Sequence, residues 1–413
     1  MSTRRRVLLV KPVLPWPPDQ GTRVVSAAIL DALTPEHDVT VLARMLDASE
    51  RTAVAELEAH GVRVVTVFPR NRRSIVARAA YRAAYTLRSF FTGRSMKSLY
   101  DCPGAFVRAA ETLAREHFDL VIVEYWQLHP LLHEFDPART VLLTHDIDLI
   151  VNAQRAVLED NLLAKAAALR RWHTERGEEV RAYRAARHVW ALTARDAAAV
   201  RKLSADRTSA DVLPFGLREE QFAPAGAPRT SRDVLFLGAM GAAFNRDALT
   251  HFASDVYPLL AGIDGIHFTV VGGALPESLA WFGALQHVEV AGHARDVAPY
   301  YARCACLVVP LRYGGGLRIR ILEAMAAGVP VVASPVAIEG MDLDPEKHLL
   351  VALTPAEFRA QIERILNDPA FGSRLAEAAR AHIYRTYGPD ARTGGIRKLA
   401  ENLMSESGSV PSP

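Results

Sequence analysis

The chain has 413 residues, half of them hydrophobic, which allows two substantial cores and argues for two or three domains rather than one. A formal net charge of +3 is near neutral for this length and excludes a general nucleic-acid binder, leaving only local basic patches to explain. Three cysteines cannot make a disulfide framework: Cys304 and Cys306 alternate along a strand-like run and, with Cys102, read as small core residues of a reducing compartment. No stretch approaches the roughly 18 consecutive apolar residues of a membrane span. The apolar run after Arg4-Arg5-Arg6 is stopped by Pro12, Pro15, Pro17 and Pro18 before it reaches signal-peptide length, so cytoplasmic residence is expected.

In chain order, Val7–Val10 reads as a first strand, followed by the stiff loop Pro15-Trp-Pro-Pro-Asp-Gln-Gly-Thr-Arg23 and a helix from about 22 to 33. In that loop Gly21 permits close backbone approach at a helix N-terminus, Thr22 can cap the helix, and Arg23 can pair with an anion; a plain capped turn fits equally well. Strands follow at 39–43 and 62–68. From Arg70 to Lys97 the chain carries Arg70, Arg72, Arg73, Arg78, Arg82, Arg88, Arg94 and Lys97 with no acid, interleaved with apolar residues such as Tyr85, Leu87 and Phe91. This reads as a basic amphipathic helix, which either lies on an anionic membrane or packs on the sheet with its arginines solvated. Further strands at 120–123, 140–143 and 188–192 flank a long charged helical stretch, 158–183. Glu124 ends one of these strands and can orient or deprotonate a hydroxyl. Thr144-His145-Asp146 follows another, which puts His145 at the carboxyl edge of the sheet. His129 and His133 could share a helical face four residues apart but have no third ligand, so no metal site is expected.

The alternation of strand and helix specifies parallel sheets wound with helices, an α/β architecture. A first Rossmann-like domain is expected over 1–214 and a linker over 215–232, where Pro224-Ala-Gly-Ala-Pro228 breaks periodicity. A second Rossmann-like domain is expected over 233–370, with strands at 234–238, 267–271, 288–291, 307–309 and 329–333. Helices over 371–404 and a disordered Ser- and Pro-rich tail, 405–413, complete the chain. Within the second domain, the strand ending at Val309 leads into Gly314-Gly315-Gly316 and a helix expected to begin near Leu317. Glycines without Cβ atoms before a helix N-terminus form an anion site. Arg318 and Arg320 in the first turn are unfavourable beside the helix dipole unless an anion joins them. Glu323, about a turn on, can accept from ribose hydroxyls.

Glu323-Ala-Met-Ala-Ala-Gly-Val-Pro-Val-Val332 resembles the signature of the retaining nucleotide-sugar glycosyltransferases of family 4, glycosyl transferases group 1. Pro214-Phe215-Gly216 and Ile338-Glu339-Gly340 are similar to further segments of that family, the first with Phe215 in place of an asparagine. The resemblance implies the GT-B fold, two facing Rossmann-like domains with a cleft between them and C-terminal helices crossing back to the first. It implies a donor site of Gly21, Gly238, His293, Gly314, Gly315, Gly316, Leu317, Arg318, Arg320 and Glu323, with His145, Arg318 and Glu323 catalytic. Glu124, Asp146 and Arg23 fall on the acceptor side. The implied reaction is retaining, metal-independent transfer from a nucleotide-diphosphate sugar to a glycan, glycolipid or small-molecule hydroxyl, without a cofactor. Polysaccharide or glycolipid assembly is the implied setting, with peripheral membrane contact through 70–97 and no nucleic-acid partner. Two departures stand out. Gly315 occupies the position of the first of two glutamates separated by seven residues, and Ala239 and Phe244 stand where an arginine and a lysine are commoner. They keep open a catalytically silent binding subunit, a nucleotide-sugar epimerase or a transferase acting on a small metabolite.

Overall fold

The computed structural model describes residues 4–46, 48–68, 84–89, 91–92, 94–159, 161–222 and 229–406. The chain divides into two units. One gathers Thr22–Phe215 with the chain ends, up to Pro18 and from Thr393; the other comprises Asp19–Gly21 and Gly216–Arg392.

The first unit is built on seven strands: β1 (Arg6–Lys11), β2 (Asp38–Arg44), β3 (Arg63–Val67), β4 (Leu120–Glu124), β5 (Thr140–Thr144), β6 (His188–Ala191) and β7 (Ser209–Val212). They run parallel in the order β3-β2-β1-β4-β5-β6-β7. Helices cover both faces, so the central strands are continuous apolar runs with no polar side, and Val7 to Val10, Leu120 to Val123 and Val141 to Leu143 are all buried. The strand at 209–212 was not legible in advance, because only Ala210 of its four side chains is buried. The helical stretch expected over 158–183 begins later, at Leu162–Ala185, where Asn161 caps it by accepting from the amides of Leu163 and Ala164, and a separate helix, Asp148–Leu158, precedes it.

The second unit carries β8 (Asp233–Leu237), β9 (His267–Val271), β10 (Val288–Gly292), β11 (Cys306–Val309), β12 (Val331–Ala333) and β13 (Leu350–Val351). These too are parallel, in the order β10-β9-β8-β11-β12-β13. Cys304 and Cys306 are buried and free. In each sheet the winding direction reverses beside the first strand, between β1 and β4 and between β8 and β11. At such a reversal the loops leave in opposite directions and open a crevice at the carboxyl ends.

Three boundaries differ from expectation. The helix after the glycines spans Ile319–Ala326, with Arg318 rather than a residue before Leu317 at its N-cap. The helix Pro369–Tyr387 does not join the first unit: Gly372 sits so close to the second that an added Cβ would lie 3.3 Å from Ile365 Cγ2 and 3.5 Å from Pro330 Cγ. Only the chain from Thr393 groups with the first unit, where Arg397 donates to the Ala32 carbonyl at 2.7 Å and pairs with Glu36 at 2.9 Å. The final helix, Ile396–Glu406, runs past the expected start of the tail, and 407–413 lie outside the described residues, as do 69–83 of the basic stretch and Pro224–Pro228 of the linker.

The carboxyl ends of β8, β9 and β10 meet through glycines. Gly272 has φ +135°, and a Cβ there would lie 2.0 Å from the Gly238 carbonyl oxygen. Gly272→Ala is therefore expected to cost about 3 kcal/mol or more from backbone strain and overlap together, measured as a lowered midpoint of urea unfolding.

Candidate functional site

Each unit gathers its unusual residues at its own reversal point. In the second unit the chain leaves β11 and passes through Gly314, at φ +152°, and Gly316, at φ +67°, conformations that L side chains rarely adopt. Gly314 is needed for space as well. The Arg318 guanidinium folds back over it, and an added Cβ would lie 2.3 Å from an Arg318 terminal nitrogen. Arg318 is 8% exposed, and its guanidinium carbon sits 5.3 Å above the Phe244 ring, a cation–π contact. The aromatic residue at the second sequence departure thus forms the platform for the arginine.

Arg320 is differently placed. Its guanidinium donates to the Leu237 carbonyl at 2.5 Å and to Asn245 Oδ1 at 2.8 Å, and Asn245 donates in turn to the Ala239 carbonyl at 2.9 Å. It braces the turn after β8, where a Cβ on Gly238 would meet it at 2.5 Å. Burial and the charge of Arg318 push Arg320 down to about 9. Arg320 thus places a second buried guanidinium beside Arg318, with neutral groups as its own hydrogen-bond partners. Arg246 donates to the Met240 and Gly241 carbonyls and holds the same turn.

Glu323, one turn into the helix, accepts from Gln221 Nε2 at 3.3 Å, and burial pushes its carboxyl up to about 7. Arg229 anchors the far end of that helix by donating to the carbonyls of Ala327 and Gly328. Leu317 is buried between glycine loop and helix. His293 is exposed, with Nε2 3.4 Å from Asp19 Oδ2. Gly21 opens the helix Gly21–Leu33; a Cβ there would only touch Ile319 Cδ1 at 3.7 Å, so space does not demand glycine.

In the first unit, Glu124 and His145 come together from adjacent strand ends, with His145 Nε2 2.9 Å from Glu124 Oε2. Lys11, the last residue of β1, is wholly buried and donates to that same oxygen at 2.8 Å, while Ser26 Oγ donates to the other at 2.7 Å. Burial alone would raise the Glu124 carboxyl, but the Lys11 charge and the bonds from His145 and Lys11 bring it down to about 2. Burial pushes His145 down, favouring the neutral imidazole. Tyr125 follows Glu124 at φ 77°, rare for a bulky residue, and its ring lies 4.6 Å from that of His145 between centroids. Thr144 Oγ1 donates to the Asp146 carbonyl at 2.7 Å and shapes the turn carrying the histidine. Arg23 lies 3.8 Å from Glu50, and its charge acts on Lys11. Lys11, Ser26 and Tyr125 escaped the sequence reading. A lysine closing an apolar strand was the available signal, since burial of that ammonium requires a partner.

Two other expectations change. His129 and His133 lie in 3₁₀ turns, Trp126–Glu134, where residues four apart point about 120° apart, and His129 Nδ1 is 3.2 Å from the Trp126 carbonyl. Among the described residues no cluster of three His, Cys, Asp or Glu side chains could hold a metal ion. Of the basic stretch, Arg94 bonds Ser98 at 2.8 Å and Lys97 pairs with Asp148, so these two belong to the packing of the unit and not to a free basic face. No helix among the described residues is long and apolar enough to cross a membrane.

Comparison with known proteins agrees with this construction. Residues 231–368 match the model of the family Glycosyl transferases group 1. D-inositol 3-phosphate glycosyltransferase of Salinispora arenicola is 26% identical over 309 residues, 67% of each chain. Sucrose-phosphate synthase from Thermosynechococcus elongatus has the same fold, with a TM-score of 0.71 over 97% of this chain and all of that one at 18% identity. HepE of Anabaena, solved with UDP and glucose, superposes with a TM-score of 0.66 at 15% identity over 97% of this chain and all of its own. Two parallel-sheet Rossmann-like units define the GT-B architecture, and the matched second unit makes this chain an enzyme of the glycosyltransferase class.

Lys11→Met would leave a buried carboxylate without its cation and is expected to destabilise the protein by about 3–5 kcal/mol, with much of the loss recovered in Lys11→Met/Glu124→Leu. Because the Glu124 carboxyl titrates lower in the folded chain than the unfolded value of about 4.3, its contribution is present above that value and lost as pH falls towards 2. Urea unfolding between pH 6 and 3 should show a shallower acid loss in the double variant than in the unaltered protein.

Proposed function

We propose that the enzyme transfers a sugar from a nucleotide-diphosphate donor to a hydroxyl acceptor, with retention at the anomeric carbon and without a metal ion. The observation that carries this reading is Arg318, folded over Gly314 and stacked on Phe244 at the mouth of the glycine loop. A leaving diphosphate develops charge as the glycosidic bond breaks. Arg318, the glycine-loop backbone and the N-terminus of Ile319–Ala326 would stabilise it electrostatically, which is the work a divalent cation does elsewhere. Arg320 would act by holding the Gly238 turn and adding to the local positive field. Glu323 would accept from the ribose hydroxyls, and Gly238 and His293 would border the nucleoside. The first unit would supply His145 and Glu124 at the sugar and the acceptor. Retention rests on the resemblance of Glu323–Val332 to the retaining family. The name of the relative above, D-inositol 3-phosphate glycosyltransferase, supports a polyol or glycan hydroxyl as acceptor. Glycolipid or polysaccharide assembly is the proposed setting.

Calorimetry against UDP, GDP, ADP and dTDP should find one that binds in the presence of EDTA. Arg318→Ala should weaken it about 10- to 100-fold, as expected for losing one or two charge-assisted bonds. Undiminished affinity in that variant would remove Arg318 from the donor site, and a strict magnesium requirement would reject metal independence. Retention is tested by the anomeric configuration of the product.

The Glu323 carboxyl near 7 gives a pH dependence of defined sign. Ribose hydroxyls donate to the carboxylate and not to the protonated acid's hydroxyl, so binding selects the ionised form and releases a proton. Donor affinity should strengthen from pH 6 to pH 8, and Glu323→Gln should flatten that slope.

A further inference from the structure

Two contacts and burial fix the His145 ring. Its Nε2 meets Glu124 Oε2, its face packs on Tyr125, and its side chain is only 4% exposed. Glu124 can only accept, because Lys11 Nζ bonds to the same oxygen and keeps it ionised while Ser26 donates to the other. The hydrogen shared between Glu124 and His145 therefore sits on Nε2, and a neutral ring then carries a lone pair at Nδ1. That Nδ1 is buried and has no hydrogen-bond partner among the described residues. We propose that Glu124 and Lys11 are positioning residues that hold His145 as the Nε2–H tautomer, so that Nδ1 accepts a hydrogen bond from an alcohol hydroxyl of a substrate.

This rests on the transferase reading and sharpens it, since it assigns His145 one atom and one direction of hydrogen bonding. Ionised diphosphate oxygens have no hydrogen to offer a lone pair, so the diphosphate is not the partner of Nδ1. Hydroxyls of the donor sugar and of the acceptor share the required chemistry. The strained backbone at Tyr125 fits this role, because it turns the ring beneath the imidazole and removes the tilt by which Nδ1 could find another partner.

The test has a spectroscopic and a kinetic arm. In protein labelled with ¹⁵N-histidine, with His145 assigned by the loss of its signals in His145→Asn, Nε2 should be protonated and Nδ1 unprotonated at neutral pH. Glu124→Gln should move the Nε2–H proton upfield, as a charge-assisted bond becomes a neutral one. A ring protonated at Nδ1, or one indifferent to Glu124→Gln, overturns the proposal whatever the activity. Asparagine places a carbonyl oxygen near the position of Nδ1, whereas glutamine reaches only that of Nε2. His145→Gln should lower kcat about 100-fold and His145→Asn about tenfold less severely; equal losses overturn the proposal. A preference for asparagine in both donor hydrolysis and transfer assigns the hydroxyl to the donor sugar, and in transfer alone to the acceptor. Failure of the unaltered enzyme to consume any nucleotide sugar, with the tautomer as expected, would reject the transferase reading instead.

Discussion

Parallel strand pairing is the constraint on which everything else in this protein depends. A parallel ladder cannot be closed by a tight turn, so each strand must return through a crossover that covers a face of the sheet. Both faces are then buried, and the only places left for polar chemistry are the loops at the strand ends. Because winding starts in the middle of each sheet and proceeds outward in both directions, β1 and β4, and likewise β8 and β11, send their loops apart. Lys11 and Glu124 stand at the ends of the first pair. Gly238 follows β8 of the second pair, and the triple glycine follows β11.

The two units handle charge at these points in opposite ways. In the first, a cation and an anion are both removed from water and neutralise each other, with Ser26 and His145 satisfying the remaining carboxylate lone pairs. A buried pair of this kind adds little net stability compared with apolar residues of the same shape, yet removing either partner is strongly unfavourable. Its retention makes sense as a device for fixing an imidazole. In the second unit two guanidiniums lie close together: Arg320 bonds to neutral partners, Arg318 lies on an aromatic ring, and the dipole of a short helix adds to both. One site pairs opposite charges in the interior, while the other gathers cations at a glycine loop and a helix N-terminus.

Much of the fold could be read from apolar runs and glycine punctuation, because strands buried on both faces need unbroken hydrophobic sequence. The elements that escaped are those whose burial is partial. The strand at 209–212 has one buried side chain of four, and Leu350–Val351 is two residues long. The helix Leu162–Ala185 was expected to start at 158, because Leu158 and Glu159 are good helix formers and the cap at Asn161 lies behind them. Helix Pro369–Tyr387 groups with the second unit, whereas the resemblance implied a crossing to the first.

The sequence by itself determined the two parallel sheets, the glycine loop before Ile319 and the presence of His145, Glu124, Arg318 and Glu323 at strand and helix ends, because each follows from local periodicity and backbone freedom. Tertiary structure decided how those residues work. That Arg320 braces a turn while Arg318 remains at the glycine loop depends on where Asn245 and Phe244 fall in space. That Glu124 serves His145 rather than solvent depends on Lys11, 113 residues away in the chain. Pairings of this range leave no trace in composition or spacing, because a side chain's protonation and direction are set by neighbours that only folding brings within a few ångströms.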